Sequence, residues 1–337
     1  MKEQVKALWK LCFPDDTDDF VELYFSSRYN DEINSAIVED GRVVSALQRI
    51  PYPMQYIDKV IPVAYISGAC THPEFRSRGL MSRLLDDAHR KMYADGKYLS
   101  LLIPANEGLV AYYAKSGYEV TFQQKTKLLT GMCKTVDNSR SGLIFRELEL
   151  LGKDYYDVSD FVNRQLLTFS ASVLHTLLDI KIILSDLHLS GGQAWCAYTE
   201  SGNICAVVFL VAAYNNVVIK ELLATDKQTE TAMIDFVLNH YSISHAEKSS
   251  PCGMSRVINV CRMLEIVASV MDGRHLVEIY GDDVITENNG LYIIEGGACR
   301  RLYTHVSNTN SVHRIHINSL SSWLFHDMKP YMSLMLD

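Results

Sequence analysis

The sequence of 337 residues has no long hydrophobic run. A helix that crosses a membrane needs about 20 consecutive apolar residues, and no segment approaches that length. The opening stretch MKEQVKALWKLC also lacks the features of a secretory signal, and it predicts an amphipathic helix instead. We therefore expect a cytoplasmic protein with no membrane partner.

Paired cysteines and metal-ligand clusters are missing as well. The eight cysteines are scattered, with no C-x-x-C motif and no histidine at metal-ligand spacing. In a cytoplasmic protein such residues are expected to be reduced thiols, most of them buried. The sequence therefore predicts no metal site.

Basic residues are too few for a nucleic-acid-binding surface. The chain has 32 Lys and Arg against 40 Asp and Glu, a formal net charge of −8, and no basic stripe. We therefore expect no nucleic-acid partner and a surface that favours cationic ligands.

Strand and helix signals alternate in the N-terminal third of the chain. A long strand is predicted over 60–71, after two shorter strands over 35–38 and 43–50. Apolar residues then recur at every fourth position from Leu80 to Met92, which indicates a helix, and 98–103 is a further apolar strand. Strand, helix and strand in this order predict an α/β domain with a central parallel pair.

The rest of the chain predicts two further units. Residues 144–241 repeat the order of antiparallel strands followed by a helix, and Thr225 with Gln228 forms a capping-box pattern before that helix. A polar stretch near residue 250 precedes a predicted helix over 256–270 and several strands. We therefore expect three domains, over 1–128, 129–250 and 251–337.

The segment THPEFRSRGLMSRLL places arginines at a helix start, where acidic residues are usual. Free backbone N–H groups and the helix dipole make this end partly positive. Arg76, Arg78 and Arg83 add more donors, and Glu74 is the one local acid. An external anion such as a pyrophosphate would satisfy both the geometry and the charge. Gly79 would let the backbone approach that anion closely.

Motifs of other phosphate-binding and hydrolytic sites are absent. Neither G-x-x-x-x-G-K-[ST] nor G-x-G-x-x-G occurs, which argues against P-loop hydrolases and Rossmann domains. G-x-S-x-G and H-E-x-x-H are absent too. The pattern R-x-x-G remains, and by itself it also fits an exposed basic helix start that binds only solvent.

Two segments resemble the signatures of the GNAT superfamily of N-acetyltransferases. RSRGLM, residues 76–81, is similar to the coenzyme A pyrophosphate loop [QR]-x-x-G-x-[GA], although Met81 replaces the small residue. NEGLVAYYAKSGY, residues 106–118, resembles the second signature in its Asn, its alanine-rich turn, its Tyr and its closing Gly-aromatic pair. The two segments lie in the expected order with one strand between them.

The resemblance implies roles for residues of both segments. The backbone of Ala69, Cys70 and Thr71 would pair with the pantetheine arm of acetyl-CoA, the co-substrate, and Asn106 would contact the same arm. Tyr113 would act as the general acid that protonates the departing coenzyme A thiolate, and its alternative role is in the apolar core. The residues that would hold the pyrophosphate are Arg76, Ser77, Arg78, Gly79, Leu80 and Met81.

The order of the three units resembles that of acetyltransferases of the enhanced-intracellular-survival (Eis-like) type. The implied fold class is α/β (α+β): a catalytic GNAT domain, a degenerate second GNAT-like domain, and a small α+β domain similar to a sterol carrier protein. The resemblance also implies that the tail KPYMSLMLD carries the α-carboxylate of Asp337 into the catalytic cleft as the base. It leaves open whether the chain forms a homo-oligomer.

The expected function is that of an acetyl-CoA-dependent N-acetyltransferase which acetylates a primary amine directly, without an acyl-enzyme. The aspartates in 15–19 are expected to cap a helix or, alternatively, to attract a cationic acceptor such as an aminoglycoside or polyamine. A lysine of a peptide is another candidate acceptor. The alternative class is a non-catalytic protein that binds coenzyme A or a lipid through the sterol-carrier-like domain, and crowding by Met81 would favour it.

Overall fold

The computed structural model describes residues 1–123, 126–132, 142–152, 155–213, 216–249, 252–303 and 312–336. Its α-helices, in chain order, are α1 (Lys2–Cys12), α2 (Asp18–Ser27), α3 (Leu80–Ala94), α4 (Glu107–Ala114), α5 (Tyr155–Leu166), α6 (Leu177–Leu189), α7 (Lys227–His240), α8 (Val260–Ala268) and α9 (Leu320–Leu324). Over these ranges, no helix has the length and apolar character needed to cross a membrane.

The strands of the described residues form three sheets. In chain order they are β1 (Asn34–Glu39), β2 (Arg42–Tyr56), β3 (Lys59–Thr71), β4 (Leu99–Leu102), β5 (Glu119–Gln123), β6 (Thr126–Met132), β7 (Ile144–Glu147), β8 (Ala171–Val173), β9 (Gln193–Tyr198), β10 (Ile204–Ala213), β11 (Asn216–Ala224), β12 (Ile243–Ser249), β13 (Cys252–Val257), β14 (Arg274–Tyr280), β15 (Gly290–Glu295), β16 (Ala298–Leu302) and β17 (Val312–His316).

The first sheet has the order β1-β2-β3-β4-β13-β5, and β8 also pairs with β2. β3 and β4 are parallel, which confirms the predicted central pair, and their last paired residues are Tyr65 and Leu101. β3 then continues to Thr71, so the two strands part at this end. A gap between the carboxyl ends of neighbouring parallel strands is where α/β folds bind their ligands.

Helices cover both faces of this sheet. α1 and α2 bring Trp9, Tyr24 and Phe25 into a large apolar cluster on one face. α3 buries the stripe that predicts it, including Leu84 and Met92, against the other face. The N-terminus of α3, with its excess of hydrogen-bond donors, therefore lies at the end of the sheet where β3 and β4 part.

The strand β13 comes from far along the chain and lies between β4 and β5, antiparallel to both. The sequence predicts a helix from residue 256, but Arg256 and Val257 end β13, and α8 begins at Val260. Both residues are buried. A strand hydrogen-bonded along both edges gains tertiary contacts that outweigh a local helical pattern. The division into domains near residues 128 and 250 stays a prediction.

The second sheet has the order β12-β6-β11-β10-β9-β7, and the third has the order β16-β15-β14-β17. α5 and α6 pack on one face of the second sheet, and α7 packs on the other. The third sheet and α8 share an apolar cluster with α1 and α2. A buried ion pair between Arg28, the C-cap residue of α2, and Asp179 of α6 links the first sheet's helices to those of the second.

Candidate active site

β3 changes course at Gly68, just before the segment predicted to bind pantetheine. The β2–β3 register shifts between Ala46 and Gln48, which gives β3 one extra residue, a bulge. Gly68 is left-handed, with φ of 58°. A Cβ atom on it would lie 2.0 Å from Cζ3 of Trp9. Glycine is therefore required here for both its backbone conformation and its lack of a side chain.

A buried polar network lies beside this bulge, and sequence reasoning missed it. The hydroxyl of Tyr24 donates to Oγ of Ser67 at 3.0 Å and lies 3.3 Å from Oε1 of Gln48. The side chain of Gln48 in turn donates to Oδ1 of Asn34 at 3.0 Å. These residues come from four separate elements, so no sequence pattern brings them together. Their hydrogen bonds hold the bulge in place on the side that faces α1 and α2.

The turn between β3 and α3 has the backbone of an anion-binding loop. Ser77 and Gly79 are both left-handed, with φ of 62° and 73°. Such residues curl a turn so that successive N–H groups can converge on an anion. No side chain caps the N-terminus of α3, and its first turn contains no acidic residue. The first N–H groups of α3 are thus left for a ligand or for solvent.

The second sheet offers a contrast at the corresponding helix, α7. There Oδ1 of Asp226 accepts a hydrogen bond from the backbone N–H of Thr229 at 2.8 Å. The sequence predicted a cap formed by Thr225 with Gln228, and that prediction was wrong by one residue: the cap is Asp226. The contrast between the two helices still holds, because the side chain of α7's own N-cap residue caps its first turn and no side chain caps that of α3.

The arginines of the loop are held partly by backbone carbonyls. Nε of Arg76 donates to the carbonyl of Thr71 at 3.1 Å, and Arg78 donates to that of Glu74 at 3.0 Å. The Arg78 guanidinium also stacks 4.6 Å from the ring of Phe75. Both arginines are exposed, so the rest of each guanidinium can meet an anion on the outer side of the loop.

Leu80 and Met81 turn toward the protein. Leu80 is buried, and Met81 is half-buried against an apolar cluster that also includes Ala69 and Tyr113. Much of the Met81 side chain, which replaces the small residue of the family pattern, therefore packs in this cluster. The same cluster brings the loop, the end of β3 and α4 together.

The helix α4 begins at Asn106, whose Oδ1 caps it by accepting from the N–H of Leu109 at 3.0 Å. The side-chain NH₂ of Asn106 is left as the group that could donate to a coenzyme arm. Further along α4, the hydroxyl of Tyr112 lies 3.2 Å from Oγ of Ser82 on α3. The first turn of α3 and the second signature segment are therefore in direct contact.

Tyr113 is 8% exposed, and its ring packs on that of Tyr118 at 5.8 Å. Burial raises the pKa of Tyr113 to about 12, with smaller contributions from the neighbouring Tyr112 and Cys70. The phenol is thus protonated at neutral pH. Among the described residues its hydroxyl has no hydrogen-bond partner, so the phenol is available as a proton donor.

Cys12 and Cys70 form a thiol pair at the end of β3 that the sequence did not reveal. A hydrogen bond from Cys70, together with the nearby Arg76 guanidinium, lowers the pKa of Cys12 to about 7. The sulfur of Cys12 lies 3.5 Å from the carbonyl of Thr71. The hydrogen bond to Cys12 and burial raise the pKa of Cys70. Cys70 belongs to the segment predicted to bind pantetheine, and Cys12 lies against that segment.

Iodoacetamide is expected to alkylate Cys12 with a midpoint near pH 7, because only the thiolate reacts. Burial raises the pKa of Cys261, which is similarly half-buried, so it should react at higher pH. Peptide mass spectrometry over a pH series measures both rates in one sample. Equal midpoints for the two cysteines would contradict the expectation, and Arg76→Gln should move the Cys12 midpoint upward.

The C-terminal tail is docked through residues 331–336, and Asp337, the predicted base, lies outside the described residues. Tyr331 donates its N–H to the carbonyl of Ala171 at 2.9 Å and accepts from the N–H of Val173 at 3.0 Å. Met332, Leu334 and Leu336 are buried. These residues of the tail are therefore packed against the protein.

The direction of the tail follows from strand pairing. Tyr331 pairs in parallel with β8, at Ser172. β8 runs antiparallel to β2 from Tyr56 to Met54, and β2 runs antiparallel to β3. At Tyr331 the chain therefore runs in the same direction as β3, whose carboxyl end carries the bulge and the thiol pair.

Two of the aspartates around the start of α2 have local partners. Thr17 caps the helix by accepting a backbone N–H at 3.2 Å. Asp18 accepts from Nζ of Lys10 at 2.6 Å, and Asp16 accepts from Nε1 of Trp9 at 2.6 Å. Asp16 therefore fixes the ring that lies over Gly68, which connects this cluster to the site.

Residues 2–121 match the sequence model of the family described as Acetyltransferase (GNAT) domain. No curated protein matches the chain in sequence. The N-terminal part of the chain therefore contains a GNAT acetyltransferase domain, and the protein is an N-acetyltransferase enzyme.

Solved structures with the same fold extend over nearly the whole chain. A GCN5-related N-acetyltransferase from Kribbella flavida has a TM-score of 0.74 at 16% identity, covering 99% of this chain and 95% of its own. One from Anabaena variabilis has 0.74 at 16% identity, covering 95% and 86%. Eis1 from Mycobacterium abscessus has 0.66 at 9% identity, also covering 95% and 86%. At these identities the likeness is one of fold.

Proposed function

We propose that the protein transfers the acetyl group of acetyl-CoA directly to a primary amine at the gap between β3 and β4. The observation that carries this proposal is the uncapped start of α3. Its loop, with two left-handed residues and two exposed arginines, adjoins the free end of β3 and the buried Tyr113. An anion site and a proton donor flank the end of β3 that extends beyond its pairing with β4, which suits a long phosphorylated thioester.

The coenzyme would be held along this path. The loop from Arg76 to Met81 would bind the pyrophosphate through its N–H groups and guanidinium groups. The backbone of Ala69 to Thr71 would pair with the pantetheine arm as an added strand would. The side-chain NH₂ of Asn106 would donate to the same arm. The thioester would then lie in the gap near Tyr113.

The reaction needs two proton movements. The neutral amine attacks the thioester carbonyl, a C–N bond forms, and the C–S bond breaks. Tyr113 donates its proton to the departing sulfur, so that coenzyme A leaves as a thiol. A base takes the proton that the amine nitrogen loses, and Tyr113 recovers a proton from that base or from water. No acyl-enzyme is formed.

The α-carboxylate of Asp337 is the base in this proposal. The parallel bridge between Tyr331 and Ser172 of β8, which gives the chain the direction of β3 at this residue, supports it. The proposed class is that of the Eis-like acetyltransferases, with a catalytic domain, a degenerate GNAT-like domain and a C-terminal domain similar to a sterol carrier protein. The proposed acceptor is a cationic small molecule, such as an aminoglycoside or polyamine, or a lysine, and the proposed location is the cytoplasm.

Calorimetric titration with acetyl-CoA, followed by measurement of thiol release across a panel of amines, tests the proposal. Because a hydrogen bond to a charged group contributes about 1.5–3 kcal/mol, the double variant Arg76→Gln, Arg78→Gln should bind acetyl-CoA about 10-fold or more weakly. Arg90→Gln, an exposed change on the body of α3, is the matched control. Coenzyme binding without thiol release for any amine would instead favour the non-catalytic binding protein.

A further inference from the structure

The docked tail has one polar anchor in the second sheet. The hydroxyl of Tyr331 donates to the carboxylate of Glu221, with 2.7 Å to Oε1 and 2.8 Å to Oε2. Glu221 is 3% exposed, and it also accepts from the backbone N–H of Leu222 at 2.7 Å. Burial, and next the Glu221 charge, raise the pKa of Tyr331, so the phenol stays a donor. A buried carboxylate loses much stability without its donors.

Apolar contacts fix the tail on both sides of this anchor. The ring of Phe169 stacks on that of Tyr331 at 4.6 Å with an interplanar angle of 13°. Met332 fills the space over Gly253 of β13, where a Cβ atom would lie 2.3 Å from its methyl group. Leu334 packs in the cluster of α5 and α6. The tail thus contacts the first sheet, the second sheet and the helices between them.

Glu221 stands at a position of the second sheet that matches the candidate active site of the first. β3 and β11 are each the strand that precedes a helix, α3 and α7. Each carries an extra residue in its pairing with the preceding strand: in β3 between Ser67 and Cys70, and in β11 between Ile219 and Glu221. The bulge in β3 lies beside the proposed coenzyme site. The corresponding bulge in β11 lies beside the anchor of the tail.

We propose that Glu221 is a positioning residue, which uses the bulge of the second sheet to hold the C-terminal tail and so to aim its carboxylate into the site of the first. This inference rests on the proposed function, because it assigns Glu221 a role through the terminal carboxylate. It gives the second GNAT-like unit a task in catalysis although its helix α7 is capped by its own Asp226. Glu221 itself does not touch the substrate.

The experiment uses the full chain with Glu221→Gln and, as a second variant, Tyr331→Phe. Each change removes one half of the anchor with little change of shape. Two quantities are measured: the kinetic constants for acetyl transfer to the best amine, and the rate at which carboxypeptidase releases residues from the C-terminus. Tyr303→Phe is the matched control, because Tyr303 is 87% exposed. A variant that lacks the last two residues supplies the reference for loss of the base.

Both anchor variants should be digested faster than wild type, and kcat should fall by about 10-fold to 100-fold because the base is misaligned. The KM for acetyl-CoA should not change, since the anchor does not touch the coenzyme site. General destabilisation of the fold would not give faster digestion of the C-terminus together with an unchanged KM for acetyl-CoA. Tyr303→Phe should match wild type in both measurements.

The two proposals fail in different ways. If both anchor variants keep wild-type digestion and kcat while the truncated chain is inactive, the role of Glu221 is overturned and the terminal base stands. If the truncated chain keeps full activity, the terminal base is overturned, and with it the aiming role. Digestion then still reports whether Glu221 anchors the tail at all.

Discussion

Replacing Tyr113 with phenylalanine is expected to lower kcat for acetyl transfer by about 10²- to 10⁴-fold, the usual contribution of a general acid. The phenol is held protonated by burial, with its pKa at about 12, and Tyr113 shares an apolar cluster with Ala69 of β3 and Leu102 of β4. Without it, coenzyme A must leave as a thiolate. The affinity for acetyl-CoA, measured by calorimetry, should stay near that of wild type, because the hydroxyl acts in the transition state.

The matched control is Tyr112→Phe. Tyr112 is the neighbouring residue on α4, but its hydroxyl is engaged with Oγ of Ser82. This change should leave kcat close to wild type. Equal losses in the two variants would show that the effect comes from packing of α4, and an unchanged kcat in Tyr113→Phe would remove Tyr113 from the mechanism.

Replacing Gly68 with alanine is expected to destabilise the fold by about 3 kcal/mol or more, through overpacking and backbone strain together. The new Cβ atom would lie 2.0 Å from the ring of Trp9 and 2.8 Å from Oε1 of Gln48. Neither neighbour can move freely, because Trp9 is buried and held by Asp16, and Gln48 is part of the Tyr24 network. Denaturant unfolding followed by tryptophan fluorescence measures the loss.

Gly96→Ala separates the two causes. Gly96 has a similar φ of 70°, and an added Cβ atom meets nothing within 4 Å. Strain alone should then cost about 1 kcal/mol. A loss at Gly68 no larger than that at Gly96 would mean that the contact with Trp9 relaxes easily, and that the bulge is not rigid.

The sequence predicted those helices and strands that have a clear pattern of apolar residues within their own segment. The stripe from Leu80 to Met92 gave α3, and the apolar runs on either side gave the parallel pair β3 and β4. β13 was missed because its strand character depends on partners more than 100 residues away in β4 and β5. The short β16 has two arginines among its five residues and gains its stability from pairing with β15, so its own sequence indicates a strand only weakly.

The same division holds for the candidate site. An excess of donors at the start of α3 is visible in the sequence, because capping is a property of neighbouring residues, and the structure shows that start uncapped. The anchor between Glu221 and Tyr331 joins residues 110 apart, and the Tyr24 network joins four elements. Such contacts leave no periodic signal, so only the folded chain reveals them. The roles assigned to the individual residues stay predictions until the variants are measured.

The place of β13 between β4 and the edge strand β5 has a consequence for the synthesis of the protein on the ribosome. The first sheet lacks this interior strand until residue 257 has emerged, although most of its other strands are made from the first 123 residues. β5 has no neighbour before then, and the edge of β4 is open. The first sheet can therefore be completed only after more than a hundred further residues have been made. Such long-range pairing of strands slows folding.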